Sequence, residues 1–132
     1  VRNPYYKGCI KNKDVSVICH TYGEKQKHIC VFEGFMDFLS YMTLCRRGET
    51  NICVDGKIDV LIMNSVANLR KSLEYLSQYE EIHCYLDNDL AGQKTVETFI
   101  GLFGENVKDE SRQYAEHKDL NDLLRGRKRQ TV

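Results

Sequence analysis

The stretch Ile82-His83-Cys84-Tyr85-Leu86-Asp87-Asn88-Asp89-Leu90-Ala91-Gly92 passes from a strand-like apolar run, through two carboxylates, into helix-forming sequence. Ile82 to Leu86 reads as a buried strand that ends at Asp87. Leu90 to Phe103 reads as a helix, with Val96, Phe99, Ile100 and Phe103 turned inward and Gly104 as its stop signal. Residues two apart at a strand end can aim both carboxylates at one point, which suits a hard, oxygen-liganded cation. The helix that follows could receive a phosphate on its first amides.

The same grammar holds upstream. His28 to Phe32 is a second strand-like run, closed by Glu33-Gly34, and Phe35, Phe38, Leu39, Met42 and Cys45 then recur at helical spacing. A Gly/Asn/Asp-rich loop spans Gly48 to Asp59. Val60 to Met63 is a further strand, and Val66, Leu69, Leu73 and Leu76 mark a helix after it. Beyond Gly104, Val107 to Ser111 reads as a polar edge strand and Leu120 to Leu124 as a short helix; Val15 to Cys19 reads as an extra strand or hairpin. Strands alternating with helices predict a parallel α/β sheet whose ligands lie outside the carboxyl ends of the strands. If the strands ending at Glu33 and Asp87 are neighbours, Glu33, Asp87 and Asp89 meet in that crevice.

With 132 residues, 42% hydrophobic and 29% charged, the chain has the size and composition of one globular domain. Lys+Arg and Asp+Glu balance at 19 each, so no global field recruits nucleic acid, and any such binding needs a local patch or another domain. The tail Arg125-Gly126-Arg127-Lys128-Arg129 is a candidate patch, or simply a frayed, solvated terminus. No apolar run is long enough to span a bilayer. The opening residue is Val1 and not Met, from which a piece of a longer protein is expected. The six cysteines form no C-x-x-C pair, and the histidines complete no recognisable ligand spacing. They are therefore expected to be unpaired small hydrophobes in a reducing, cytoplasmic setting.

Three acidic segments carry the chemistry: Glu33-Gly34-x-x-Asp37, Asp87-Asn88-Asp89 and Lys118-Asp119-x-Asn121-Asp122. Gly34 permits a tight turn and the close approach of a ligand. Asp37 either points back to the same mouth or complements a helix N-terminus. Asp119 either caps the short helix or closes the acidic rim.

Together, in this order, the segments resemble the Toprim domain, the module shared by DnaG-type bacterial primases, type IA and type II topoisomerases and some nucleases. The likeness runs from about Ile29 to Leu124. It implies a Rossmann-like fold with four parallel strands in the order 2-1-3-4, flanked by helices and preceded by an extra strand or hairpin. The expected division is an N-terminal extension over residues 1–27, the Toprim unit over 28–125 and a basic tail over 126–132. The likeness further implies Mg²⁺, or Mn²⁺ in its place, held by Asp87 and Asp89. Glu33 would act in general acid/base catalysis or orient the metal site, with Asp37, Asp119 and Asp122 as auxiliary ligands. Gly34, Lys94 and Lys118 are candidate contacts to substrate phosphate.

Two departures stand out. The primase D-G-D is here Asp87-Asn88-Asp89, and Asn64-Ser65-Val66-Ala67 replaces the usual Gly-Thr turn. The implied activity is primer synthesis on single-stranded DNA from nucleoside triphosphates, with other primase domains or a helicase as partners and no membrane. A Toprim nuclease and a non-catalytic nucleic-acid or partner-binding module are the rival readings. A topoisomerase is disfavoured because its tyrosine nucleophile lies in a separate domain, and the tyrosines here read as packing residues.

Overall fold

The computed structural model describes residues 9–11, 17–20, 23–49, 51–65 and 68–128. Six strands form one sheet: β1 (Cys9–Lys11), β2 (Val17–Cys19), β3 (His28–Phe32), β4 (Ile58–Ile62), β5 (Glu81–Tyr85) and β6 (Val107–Asp109). Their spatial order is β1-β2-β4-β3-β5-β6. The four strands β4-β3-β5-β6 are parallel, and β2 joins β4 and β1 antiparallel. The parallel set therefore has the expected 2-1-3-4 order, with the expected hairpin extending one edge. The helices are α1 (Phe35–Arg46), α2 (Leu69–Leu76), α3 (Leu90–Phe103) and α4 (Leu120–Arg125). Val66, expected on the second helix, lies outside the described residues, as do Ala67, Val15 and Arg129.

Strand side chains alternate between the two faces of the sheet, and each face carries its own core. Ile29, Val31, Leu61, Ile82 and Cys84 pack with Leu76, Val96 and Phe99, the side of α2 and α3. Cys30, Phe32, Val60, Ile62 and Tyr85 pack with Phe38, Tyr41, Leu44, Tyr114 and Leu120, the side of α1 and α4. At the centre of the second core Phe32 stacks on Tyr85 with ring centroids 5.2 Å apart, and Tyr41 meets both edge-on. The hydroxyls of these buried tyrosines find partners, as burial requires. Tyr85 donates to the Ile52 carbonyl, Tyr114 donates to that of Leu86 at 2.6 Å, and Tyr41 accepts from the Val54 amide at 3.0 Å.

Helix faces depart from the periodicity reading in two places. Phe35 is 46% and Ile100 is 47% exposed, although both were expected inward. On α1 the buried residues are Asp37, Phe38, Ser40, Tyr41 and Leu44. Apolar residues nearly encircle this helix, and polar contacts choose its face: the Ser40 hydroxyl bonds the Met36 carbonyl at 2.9 Å and Asn121 Oδ1 at 3.3 Å.

The cysteine expectation needs a correction. Cys45 and Cys53 form a disulfide, with Cα atoms 5.7 Å apart. The chain turns back after α1 and brings the two together, a closure invisible to a search for C-x-x-C pairs. Cys30 and Cys84 are free and buried, as expected. Unpaired cysteines therefore no longer argue for a reducing compartment.

One buried charge in β4 was not anticipated. Asp59 is fully buried, and its Oδ2 accepts from the Tyr79 hydroxyl at 2.7 Å and the Gln26 amide at 3.1 Å, with His20 Nδ1 at 2.7 Å. Removing the shared acceptor leaves all three groups without it. Asp59→Ala is expected to lower unfolding free energy by about 1–3 kcal/mol, the range for leaving buried polar groups without their partner. A urea titration checks this; a loss below about 1 kcal/mol would show that water or relaxation replaces the acceptor.

Candidate metal centre

β3 and β5 are neighbours at the point where the chain changes direction: from β3 it proceeds to β4 on one side, from β5 to β6 on the other. The carboxyl ends of these strands border the crevice in which doubly wound sheets bind ligands. Glu33 follows β3 directly, and Asp87 lies two residues beyond the end of β5.

Glu33, Asp87 and Asp89 each place a carboxylate oxygen within 4.8 Å of the others. Asp37, Asp87 and Asp119 form a second such group. Asp87 belongs to both. Asp122, by contrast, joins neither cluster among the described residues, although its charge bears on Asp37.

Three of these carboxylates are tethered by one oxygen to a backbone amide. Asp89 caps α3, its Oδ1 accepting from the Gly92 amide at 2.8 Å. Asp119 caps α4, its Oδ1 accepting from Asp122 at 2.8 Å. Asp37 Oδ1 accepts from the Asn121 amide, at the start of α4, at 3.2 Å. Asp119 thus performs both of the roles weighed for it, capping a helix and joining the acidic group. In Glu33 Oε1 and Asp87 Oδ1, by contrast, the structure buries oxygens with no hydrogen-bond partner among the described residues. Two buried carboxylates side by side must either keep a proton between them or hold a cation, since both cannot ionise there at low cost. The donor set is all oxygen, which fits Mg²⁺ or Mn²⁺ and would leave positions for water and phosphate.

Asn88, the departure within the D-x-D segment, has a structural use. Its Nδ2 reaches the carbonyls of Ser111, Tyr114 and His117 at 3.3, 3.0 and 2.9 Å, and its amide donates to the Lys118 carbonyl at 2.6 Å. The residue between the two aspartates therefore fastens the end of β5 to the segment that delivers Asp119. Gly34 behaves differently from expectation. Its backbone is extended, and an added Cβ would meet nothing nearer than Asp37 Oδ2 at 3.8 Å, so the turn itself does not demand glycine. Gly92 does answer such a demand: it is buried, and a Cβ there would overlap the Asp87 carbonyl.

Lys118 is exposed, and its charge partly offsets the acidic group at Asp87. Lys94 is exposed in the second turn of α3. The basic tail is ordered further than a frayed end would be: the Gly126 and Arg127 amides bond the carbonyls of Leu123 and Asp122, and the Arg127 carbonyl lies 2.6 Å from His117 Nδ1.

Crowded carboxylates resist ionisation. Burial first, and then the neighbouring Asp87, push Glu33 up to about 8. Burial and the charge of Asp119 push Asp37 up to about 7, against the Asn121 amide, which pulls it down. Burial also raises Asp87. In the metal-free fold these groups keep protons that the unfolded chain would release. Their stabilising contribution is complete below the ordinary carboxylate range and is lost as pH rises through about 7 and about 8. A bound cation reverses this by holding the groups ionised. The gain in melting temperature from millimolar Mg²⁺ should therefore grow steadily from pH 5.5 to 8.5. An equal gain at every pH would show that these carboxylates do not bind the ion.

The fold and this acidic crevice define a class, and the chain belongs to the Toprim-like family, whose profile matches residues 30–124. Among solved structures it is similar to the primase fragment of the bacteriophage T7 primase-helicase protein, with 23% identity and a TM-score of 0.55 over 83% of this chain and 44% of that one. A structure of the bacteriophage T7 lagging-strand DNA polymerase interacting with primase domains of two gp4 subunits, bound to an RNA/DNA hybrid and dTTP, matches at 21% identity and a TM-score of 0.43, over 76% and 46% of the two chains. The chain thus spans less than half the length of the solved chains it resembles. No curated protein matches the sequence.

Proposed function

We infer that this chain is the metal-binding catalytic Toprim domain of a DNA primase, which makes RNA primers on single-stranded DNA from nucleoside triphosphates as part of a longer protein. The observation that carries this reading is the convergence of Glu33, Asp37, Asp87, Asp89 and Asp119 around two orphaned buried oxygens. The fold it shares with the T7 primase fragment makes a primase a natural setting for that site.

Asp87 and Asp89 would hold one Mg²⁺, with Glu33 beside them, and Asp87 would share a second with Asp37 and Asp119. Bound there, Mg²⁺ would supply charge neutralisation for the triphosphate and for the in-line displacement. Glu33, raised toward neutrality by its surroundings, is suited to accept the proton of the attacking hydroxyl at working pH. Lys118 stands near enough to Asp87 to lower its proton affinity and is placed for a phosphate contact; Gly34 and Lys94 are weaker candidates for the same task.

Partners in this reading are the template, nucleoside triphosphates, and other primase domains or a helicase. Among the described residues no helix is long and apolar enough to cross a membrane. A cytoplasmic site of action follows from the proposed activity alone.

The test supplies a short RNA already annealed to a DNA template, so that template selection by other domains is not required. Incubation with Mn²⁺ and ribonucleotides should extend the RNA, and Glu33→Gln should stop extension. Shortened nucleic acid without extension would favour a nuclease. Neither product, with intact metal binding, would favour a binding module.

A further inference from the structure

The amino-terminal ends of β3 and β5, opposite the acidic crevice, hold a second group of donors. His28 opens β3, and Glu81 and His83 lie two residues apart in β5. The parallel register pairs His28 with Glu81 and Cys30 with His83, so the three side chains leave the same face of the sheet. One donor atom from each lies within 4.8 Å of the others. His28 and Glu81 lie far apart in sequence, so no local spacing could have disclosed the set; the histidines complete no ligand spacing along the chain, and only the fold brings these donors together.

We propose that His28, Glu81 and His83 form a second metal site, for a zinc-class ion rather than Mg²⁺, with Glu110 positioning His83. The side chain of His83 is only 7% exposed, and its Nδ1 lies 2.7 Å from Glu110 Oε2. A carboxylate at Nδ1 is the outer partner usual behind an imidazole that binds metal through Nε2. Nε2 makes no hydrogen bond, although Glu81 Oε1 stands 2.9 Å from it. Nε2 and the Glu81 oxygen therefore face each other off the hydrogen-bond axis.

An ion between them would have to part these two atoms by a few tenths of an ångström from their 2.9 Å separation. Zn–N and Zn–O bonds of about 2.0–2.2 Å place tetrahedral ligand atoms about 3.3 Å apart, each off the other's lone-pair axis. The second Glu81 oxygen lies 3.9 Å from His28 Nε2, so the carboxylate spans both imidazoles. His28 and Glu81 are each about a third exposed, which leaves the fourth position to water. Two imidazoles and one carboxylate select Zn²⁺, Co²⁺ or Ni²⁺ over the hard cations. Such an ion would tie together the first residues of the two central strands.

The test is a Co²⁺ titration of the untagged protein, followed by visible absorption, with millimolar Mg²⁺ present to occupy the acidic crevice. One equivalent should bind with the intense bands of a four-coordinate site, and Zn²⁺ should displace it. Glu110→Gln should weaken binding by about 10–100-fold, the range for losing an outer partner, and His28→Ala or Glu81→Gln by more. Asp87→Asn should leave it unchanged. His28 and Glu81 are exposed enough that their variants should fold, which circular dichroism checks. Binding that is equal in all four proteins overturns the proposal, as does binding lost only in Asp87→Asn. Absence of binding at 100-fold excess Co²⁺ also overturns it.

Discussion

Asp87→Asn should abolish divalent-cation binding at both acidic groups together and, if the proposed activity is right, reduce nucleotidyl transfer by well over 100-fold. Loss of an outer partner alone costs 10–100-fold at a metal site, and Asp87 is the carboxylate common to both groups. Asp89→Asn and Asp119→Asn should each weaken only the group to which they belong. The same substitution should also raise the melting temperature of the metal-free protein at pH 8, since it removes a carboxylate whose ionisation is opposed by burial and by its acidic neighbours. Opposite signs for metal-free stability and for activity are the signature of a site built against its own repulsion. Calorimetric titration with Mn²⁺, paired with thermal melts in a chelator, measures both. If Asp87→Asn melts lower without metal and still binds Mn²⁺, Asp87 is structural and the metal centre lies elsewhere.

Gly92→Ala is the second large effect, and its sign is contrary to helix propensity. In an open helix interior, glycine to alanine stabilises by about 1 kcal/mol. At Gly92 the new methyl would overlap the Asp87 carbonyl and come within 3.1–3.2 Å of that residue's backbone carbon and nitrogen. Backbone on both sides cannot yield as a flexible side chain would, so α3 and the end of β5 must part. A loss of about 3 kcal/mol is expected, at the upper end of overpacking costs. Metal affinity should fall with it, because the same shift moves Asp87 and the Asp89 cap. Gly101, in the same helix, has open space where its Cβ would lie, so Gly101→Ala should be neutral or stabilising in the same urea titration. Equal effects at the two positions would remove the steric explanation.

What could be read from the amino-acid order and what could not divide along a physical line. β3, β4 and β5 are apolar runs, and β3 and β5 are closed by acids; both features are local, so strands and candidate ligands were legible. The D-x-D segment was legible for the same reason, and the family likeness supplied the strand order that periodicity alone leaves open. Features made by distant contacts were not. On α1 the buried face is Phe38, Tyr41 and Leu44 with the polar Asp37 and Ser40, the last meeting Asn121, 81 residues away, so Phe35 is left outside a stripe that apolar spacing alone would include. The bond between Cys45 and Cys53 depends on a loop reversal. Asp59 looked like a loop residue next to a strand, because its partners, His20, Gln26 and Tyr79, come from other segments. The only local hint of Gly92's role was a glycine three residues after an aspartate, where a helix begins.

The amide tethers on Asp37, Asp89 and Asp119 have a consequence for which ion the crevice accepts. A carboxylate whose one oxygen is held by a backbone N–H has its orientation fixed, and turning both oxygens onto one ion would strain that bond in each of these three residues. Calcium seeks six to eight oxygens and readily takes carboxylates two-handed, whereas magnesium is content with one or two single contacts and its own water. If the crevice holds an ion as proposed, the helix caps that hold α3 and α4 in place would also act as a filter, disfavouring calcium through the way the ligands are wired and without any change in the size of the cavity.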